Sequence, residues 1–141
     1  MPLVYAFDTP ATGNSYCTVA DADKALIWSE KWKLMSPDDK EAWIIAASAQ
    51  ADRRPFFGEK SDPSNAMQFP RDFGTPATDR VFGAEAQRRK LLNYCLAFLE
   101  YNLNRIGIGV TSYSIGDESI RHEGLIEPNQ ARMALWDYWN A

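Results

Sequence analysis

Residues 83–105 read Gly83-Ala84-Glu85-Ala86-Gln87-Arg88-Arg89-Lys90-Leu91-Leu92-Asn93-Tyr94-Cys95-Leu96-Ala97-Phe98-Leu99-Glu100-Tyr101-Asn102-Leu103-Asn104-Arg105. Leu92, Cys95, Leu96, Leu99 and Leu103 recur at the three- and four-residue steps that stack side chains on one helical face. Leu91, Tyr94, Phe98 and Tyr101 form a second apolar row beside it. A surface helix docks with a single stripe, so two adjacent rows predict a helix lying between other elements, as the spine of the core.

Upstream, Ser36-Pro37-Asp38-Asp39 is a strong helix start. Ser36 caps, Pro37 takes the first turn where its missing N–H costs nothing, and two acids meet the positive end of the dipole. It predicts a helix from Pro37 to about Arg53, with Trp43, Ala46, Ala47, Gln50 and Ala51 along one side and Ala42, Ile45 and Ala49 beside them. Before it, Thr18 as cap predicts a helix from Val19 to about Trp32. Residues 1–17, with two prolines, Gly13 and Asn14, read as an extended arm that can pair as an edge strand.

Between the second and central helices the period disappears. Pro55, Pro63, Pro70 and Pro76, with Gly58 and Gly74, predict a long irregular connection over 54–78. Its Phe56, Phe57, Met67, Phe69 and Phe73 predict that it is pinned to the core. After the central helix, the β-branched run Ile106–Ile115, the Gly116-Asp117 turn and Glu118–Glu123 predict a β-hairpin or a pair of extended arms over 106–125. Pro128 opens a last helix from Asn129 to Trp139, carrying Ala131, Leu135, Trp136 and Trp139 on apolar faces. The expected fold is therefore mainly α. It is one domain over 1–141, a small bundle of about four helices with a long anchored loop and a hairpin or arm between the last two helices.

The totals bound the function. At 141 residues, 45% hydrophobic and 24% charged, the chain can bury a core without staples. Its net charge of −4 gives no global electrostatic footprint for nucleic acid. Cys17 and Cys95 lack metal-ligand spacing, and Cys95 sits on the apolar face of the central helix, which fits a buried reduced thiol in a cytoplasm. No apolar run approaches the roughly 20 residues that span a bilayer, and the first residues lack the pattern of a secretory signal.

Chemistry is sparse. His122 is the single histidine, which rules out a multi-histidine metal site and leaves acid–base work without a second imidazole. No serine elbow or phosphate-cradling loop is present, and Gly107 and Gly109 follow a helix without the third glycine of a dinucleotide site. The pairs Asp21/Asp23 and Asp38/Asp39 sit at helix starts, where capping explains them. No cofactor, metal or catalytic role is expected. Arg88-Arg89-Lys90 is the main basic concentration, either a solvated helix face or a patch for an acidic partner or for DNA.

Four segments share a likeness. Asn14-Ser15-Tyr16-Cys17-Thr18-Val19-Ala20-Asp21-Ala22-Asp23 resembles the Asn-Ser-Tyr-x-Ser/Thr-x-x-Glu/Asp-Ala-Asp opening of a family of small tailed-bacteriophage proteins. Its members are often labelled DnaT-like single-stranded-DNA-binding proteins and are related to head–tail connector (adaptor) proteins. Trp43 to Arg54 is similar to the family's Ala-rich second helix, and Asn65-Ala66-Met67-Gln68-Phe69-Pro70-Arg71 resembles its Gln-x-Leu-x-Trp-Pro-Arg loop, with Phe69 in place of the usual Trp. Ser114-Ile115-Gly116-Asp117-Glu118-Ser119-Ile120 is similar to its Ile-Gly-Asp-x-Ser-Val segment, whereas the tail from His122 to Ala141 is longer and more aromatic than the pattern.

The resemblance implies a ring-forming adaptor, of dodecameric order, in the virion neck beneath the capsid portal. Its partners would be further copies of itself, the portal protein, a tail or neck protein, and duplex DNA passing without sequence specificity. On that reading Phe69, Arg71, Tyr113, Ile115, Ile120, Trp136 and Trp139 are candidate assembly contacts, and Arg88, Arg89 and Lys90 face DNA or an acidic partner. The alternative takes the label at its word: an accessory that binds single-stranded DNA, with Arg53, Arg54, Phe56, Phe57 and Phe69-Pro70-Arg71 as the aromatic and basic ingredients.

Overall fold

A computed structural model describes residues 2–105 and 125–139. Among these the chain is mainly helical: α1 (Val19–Ala25), α2 (Glu30–Leu34), α3 (Pro37–Ala51), α4 (Ala84–Arg105) and α5 (Asn129–Ala134), then a 3₁₀ turn over Trp136–Tyr138. A two-stranded antiparallel ladder of β1 (Glu59–Lys60) and β2 (Arg71–Asp72) sits inside the long connection.

The spine is where the sequence puts it. In α4, Leu91, Tyr94, Cys95, Phe98, Leu99 and Leu103 are buried, and the helix packs against α3 and α5. The buried face is the seam between the two rows: Leu92 and Leu96 are half-buried and Tyr101 is exposed. Asn102 is buried on the same face, donating Nδ2–H to the Ile126 carbonyl and accepting from the Ile126 N–H, both at 2.9 Å. That reciprocal pair leads the chain into α5.

In α3 the Ser36 hydroxyl accepts from the Asp39 N–H at 3.1 Å, as its cap signal predicts. The buried face comprises Trp43, Ile44, Ala46, Ala47, Ser48 and Ala51. It is turned away from the expected second row, since Ile45 and Ala42 are half-buried and Ala49 is exposed.

Three expectations are corrected. The first helix is two: Leu26 ends α1 with its N–H on the Ala22 carbonyl, and Ser29 caps a fresh helix by accepting from the Trp32 N–H. The break keeps Leu26 and Trp32 inside while Ile27 and Trp28 face out. The arm is no edge strand. It closes on itself, Ala6 N–H to Ser15 carbonyl at 2.8 Å and Asn14 N–H to Val4 carbonyl at 2.9 Å, with Tyr16 and Cys17 buried at its root. The last helix stops at Ala134, because the following turn swings Trp139 into an isolated antiparallel bridge with Phe56. The expected hairpin over 106–125 lies, but for Leu125, outside the described residues, and so do His122, Tyr113, Ile115 and Ile120.

Candidate functional site

The connection between α3 and α4 is built around Arg71. Its Nε donates to the Phe57 carbonyl and its Nη2 to the Gly58 carbonyl, each at 2.8 Å, and its Nη1 donates to Gln68 Oε1 at 2.8 Å. From α4, Gln87 clamps the backbone of the same residue, accepting its N–H at 3.0 Å and donating to its carbonyl at 2.9 Å. Beneath the guanidinium, Phe69 is fully buried, with ring centroids 4.9 Å from Phe56, 5.4 Å from Tyr138 and 6.0 Å from Tyr16. A second anchor is Asp52 at the end of α3, which accepts from the Tyr16 hydroxyl and from the Gln68 N–H.

Two of the assembly candidates, Phe69 and Arg71, lie within this loop. Phe69 has no surface to offer a neighbour, because its ring is the hub of the loop's aromatic cluster. Arg71 spends its donors on its own loop. For the same reason Phe56, Phe69 and Arg71 do not form a stacking platform. The three residues of the basic run have different partners. Arg88 lies over the Phe7 ring at 5.4 Å, Arg89 donates to the Arg80 carbonyl at 3.5 Å, and Lys90 pairs with Asp137 at 3.0 Å.

Where the tail returns to the loop, an open cleft of about 550 Å³ is lined by Arg54, Pro55, Phe57, Arg132, Trp136, Asp137 and Trp139. The Phe57 N–H donates to the Tyr138 carbonyl at 2.9 Å, fixing loop to tail. Tyr138 is buried against Phe73, Phe82 and Phe69, and its hydroxyl donates to the Val81 carbonyl. Facing outward, Trp136 is 62% exposed and Phe57 is 49% exposed.

The cleft's charges are ordered by one carboxylate. Glu127 Oε1 accepts from Arg54 Nη2 at 2.8 Å and lies 3.6 Å from Arg132 Nε, while Oε2 accepts from the Tyr94 hydroxyl. Arg54 is stacked 4.2 Å over the Trp139 ring, and Arg132 lies 6.0 Å from it. Trp136 meets Trp139 edge-on at 6.0 Å. Sequence reading missed Arg132 and Glu127. Their spacing from Trp136 and Trp139 is visible in the chain, but nothing in it says that the tail meets Arg54 and Phe57.

Among the described residues no group of three metal-ligating side chains exists, and no helix is long and apolar enough to cross a membrane. Burial pushes the Cys95 thiol up to about 12 and the Cys17 thiol higher still.

Residues 6–84, more than half of the chain, match the protein family described as "Putative DnaT-like ssDNA binding protein". The chain belongs to that family. Three of the four segments that carry the resemblance lie inside the matched span; Ser114–Ile120 does not. The family's description names single-stranded DNA and makes no reference to a virion or a neck. No curated protein and no solved structure matches the chain. The match takes in the arm, α1 to α3 and the anchored loop, so Arg54 and Phe57 are family positions, whereas Arg132, Trp136 and Trp139 lie beyond it.

Proposed function

We propose that this chain binds single-stranded DNA, as a replication or recombination accessory without a catalytic step, and that the contact is the loop–tail cleft. The observation that carries this reading is the convergence of exposed Trp136 and Phe57 with Arg54 and Arg132. Unpaired bases offer π faces to aromatics and their phosphates suit guanidiniums, and such binding is sequence-tolerant. Net acidity keeps non-specific attraction to duplex weak, so a local aromatic site favours the strand whose bases are unstacked. Anisotropy of a labelled oligo-dT should show binding that weakens as salt rises from about 50 to 200 mM and exceeds binding to an equally long duplex. Equal affinity for the duplex would count against it.

A second reading is favoured by a different surface. Ile27, Trp28 and Leu34 are all exposed on the short α1–α2 segment, and exposed apolar side chains grouped in this way mark protein contacts. They suit a ring subunit of a head–tail adaptor in the phage neck, meeting its own copies, the portal and a tail or neck protein, with duplex DNA passing through. Light scattering after size exclusion, with and without the portal protein of the same phage, tests it. A ring-stoichiometry complex supports the adaptor, and a monomer that ignores the portal removes it.

A further inference from the structure

We propose that the cleft is a site for a single nucleotide unit, taking one phosphodiester at Arg54 and Arg132 and stacking one base on Trp136. This deepens the DNA-binding reading and rests on it.

The phosphate count follows from charge. Two guanidiniums face one carboxylate, and Asp137, the other acid of the cleft, is already paired with Lys90 at 3.0 Å. The group of Arg54, Arg132 and Glu127 therefore carries one net positive charge, which a single phosphodiester neutralises. Glu127 is the fixed member. Its side chain is only 17% exposed and it holds the hydroxyl of buried Tyr94, whereas both arginines keep more than a third of their side-chain surface open. The less exposed carboxylate thus holds both arginines, while part of each arginine side chain stays open to solvent.

The base count follows from which ring faces are available. Trp139 already carries Arg54 on its ring at 4.2 Å, so it supports the phosphate site and is not the base platform. Trp136 is held edge-on against Trp139, which sets its plane while leaving most of it in solvent. Phe57 borders the same cavity and can flank the base. About 550 Å³ is in the range of small-ligand sites and accommodates one nucleotide.

Phosphate and base contacts differ in salt dependence, and that separates them. Oligo-dT binding is measured across salt for the wild-type chain and for Trp136→Ala, Trp136→Phe and Arg132→Gln. Both residues are exposed, so none of these substitutions opens the core, and unchanged thermal melts verify that. Trp136→Ala should weaken binding about tenfold at every salt concentration with an unchanged log–log slope, and Trp136→Phe should restore most of it. Arg132→Gln should flatten the slope by about 0.7, the share of one single-strand phosphate. If the wild type binds and these variants bind equally well with the same slope, the site lies elsewhere on a chain that still binds DNA. A flattened slope for Trp136→Ala, or none for Arg132→Gln, overturns the division of labour. If the wild type fails to bind at all, the DNA-binding reading fails and takes this site with it.

Discussion

Asp52 shows how one buried carboxyl can tie stability to pH. Burial pushes its pKa up to about 6, against which the hydrogen bonds from the Tyr16 hydroxyl and the Gln68 N–H pull only partly back. In the unfolded chain the same group titrates at the ordinary 3.8. Between about 3.8 and 6 the folded state therefore holds the extra proton, so this contribution is full below 3.8 and is lost as pH rises through 6. At 1.36 kcal/mol per unit the loss is about 3 kcal/mol at most. Urea unfolding of the wild type should show it over that window, and Asp52→Asn should remove most of the dependence. Neighbouring phenylalanines carry a similar lesson about single residues. Phe56 is buried and Phe57 half-exposed, and only the tertiary pairing of Phe57 with the Tyr138 carbonyl decides which ring turns outward. A loop without a period gives no facing rule, which is why both read alike as anchors in the chain. The tail supplies the sharper test. Tyr138→Ala should cost about 3–5 kcal/mol in urea melts, as large aromatic truncations in cores do, whereas Trp136→Ala should stay within about 0.5 kcal/mol.

At the scale of elements, the helices that could be read were the ones with strong ends and sustained periods. Ser36 and Pro37 start α3 within the predicted turn, and the double row of α4 runs from Ala84 to Arg105. The missed break between α1 and α2 is hidden because Ser29 stands at a position that also fits a continuous helical face. Its role as a cap shows only once Trp32 is drawn inside. The β1–β2 ladder was beyond reading: two residues per strand leave no alternation to detect. The entry to α4 makes its own prediction. A Cβ on Gly83 would stand 2.4 Å from the Ala77 carbonyl oxygen and 2.6 Å from that of Asp79, both backbone atoms of the turn before the helix. Gly83→Ala should destabilise by about 2–3 kcal/mol. Gly74, at φ +78° with open space around its Cβ position, should cost about 1 kcal/mol as alanine, the left-handed penalty alone. Thermal melts of the two variants would rank them.

At the scale of the molecule, the described residues share one core cluster in which both cysteines are fully buried, Cys17 at the root of the arm and Cys95 in the middle of α4. Their raised pKa values suppress the thiolate, so a thiol reagent should reach either only through opening of the fold. If the arm and the helices unfold as one unit, the two should be modified with the same denaturant dependence; faster labelling of Cys17, read by mass spectrometry, would mark the arm as a separate unit. The cleft, too, exists only at this scale. Its arginine and phenylalanine on the loop are separated in the chain from its arginine and tryptophans on the tail, so no local pattern announces it, and the matched family span contains only the first half.

The bridge from Phe56 to Trp139 also sets a timetable for biosynthesis. The loop leaves the ribosome before Tyr138, and until then Phe69, Phe73 and Phe82 lack the tail ring that packs against all three. Nascent chains arrested ahead of the tail should therefore display that aromatic surface to chaperones, and release of the tail is the event that conceals it.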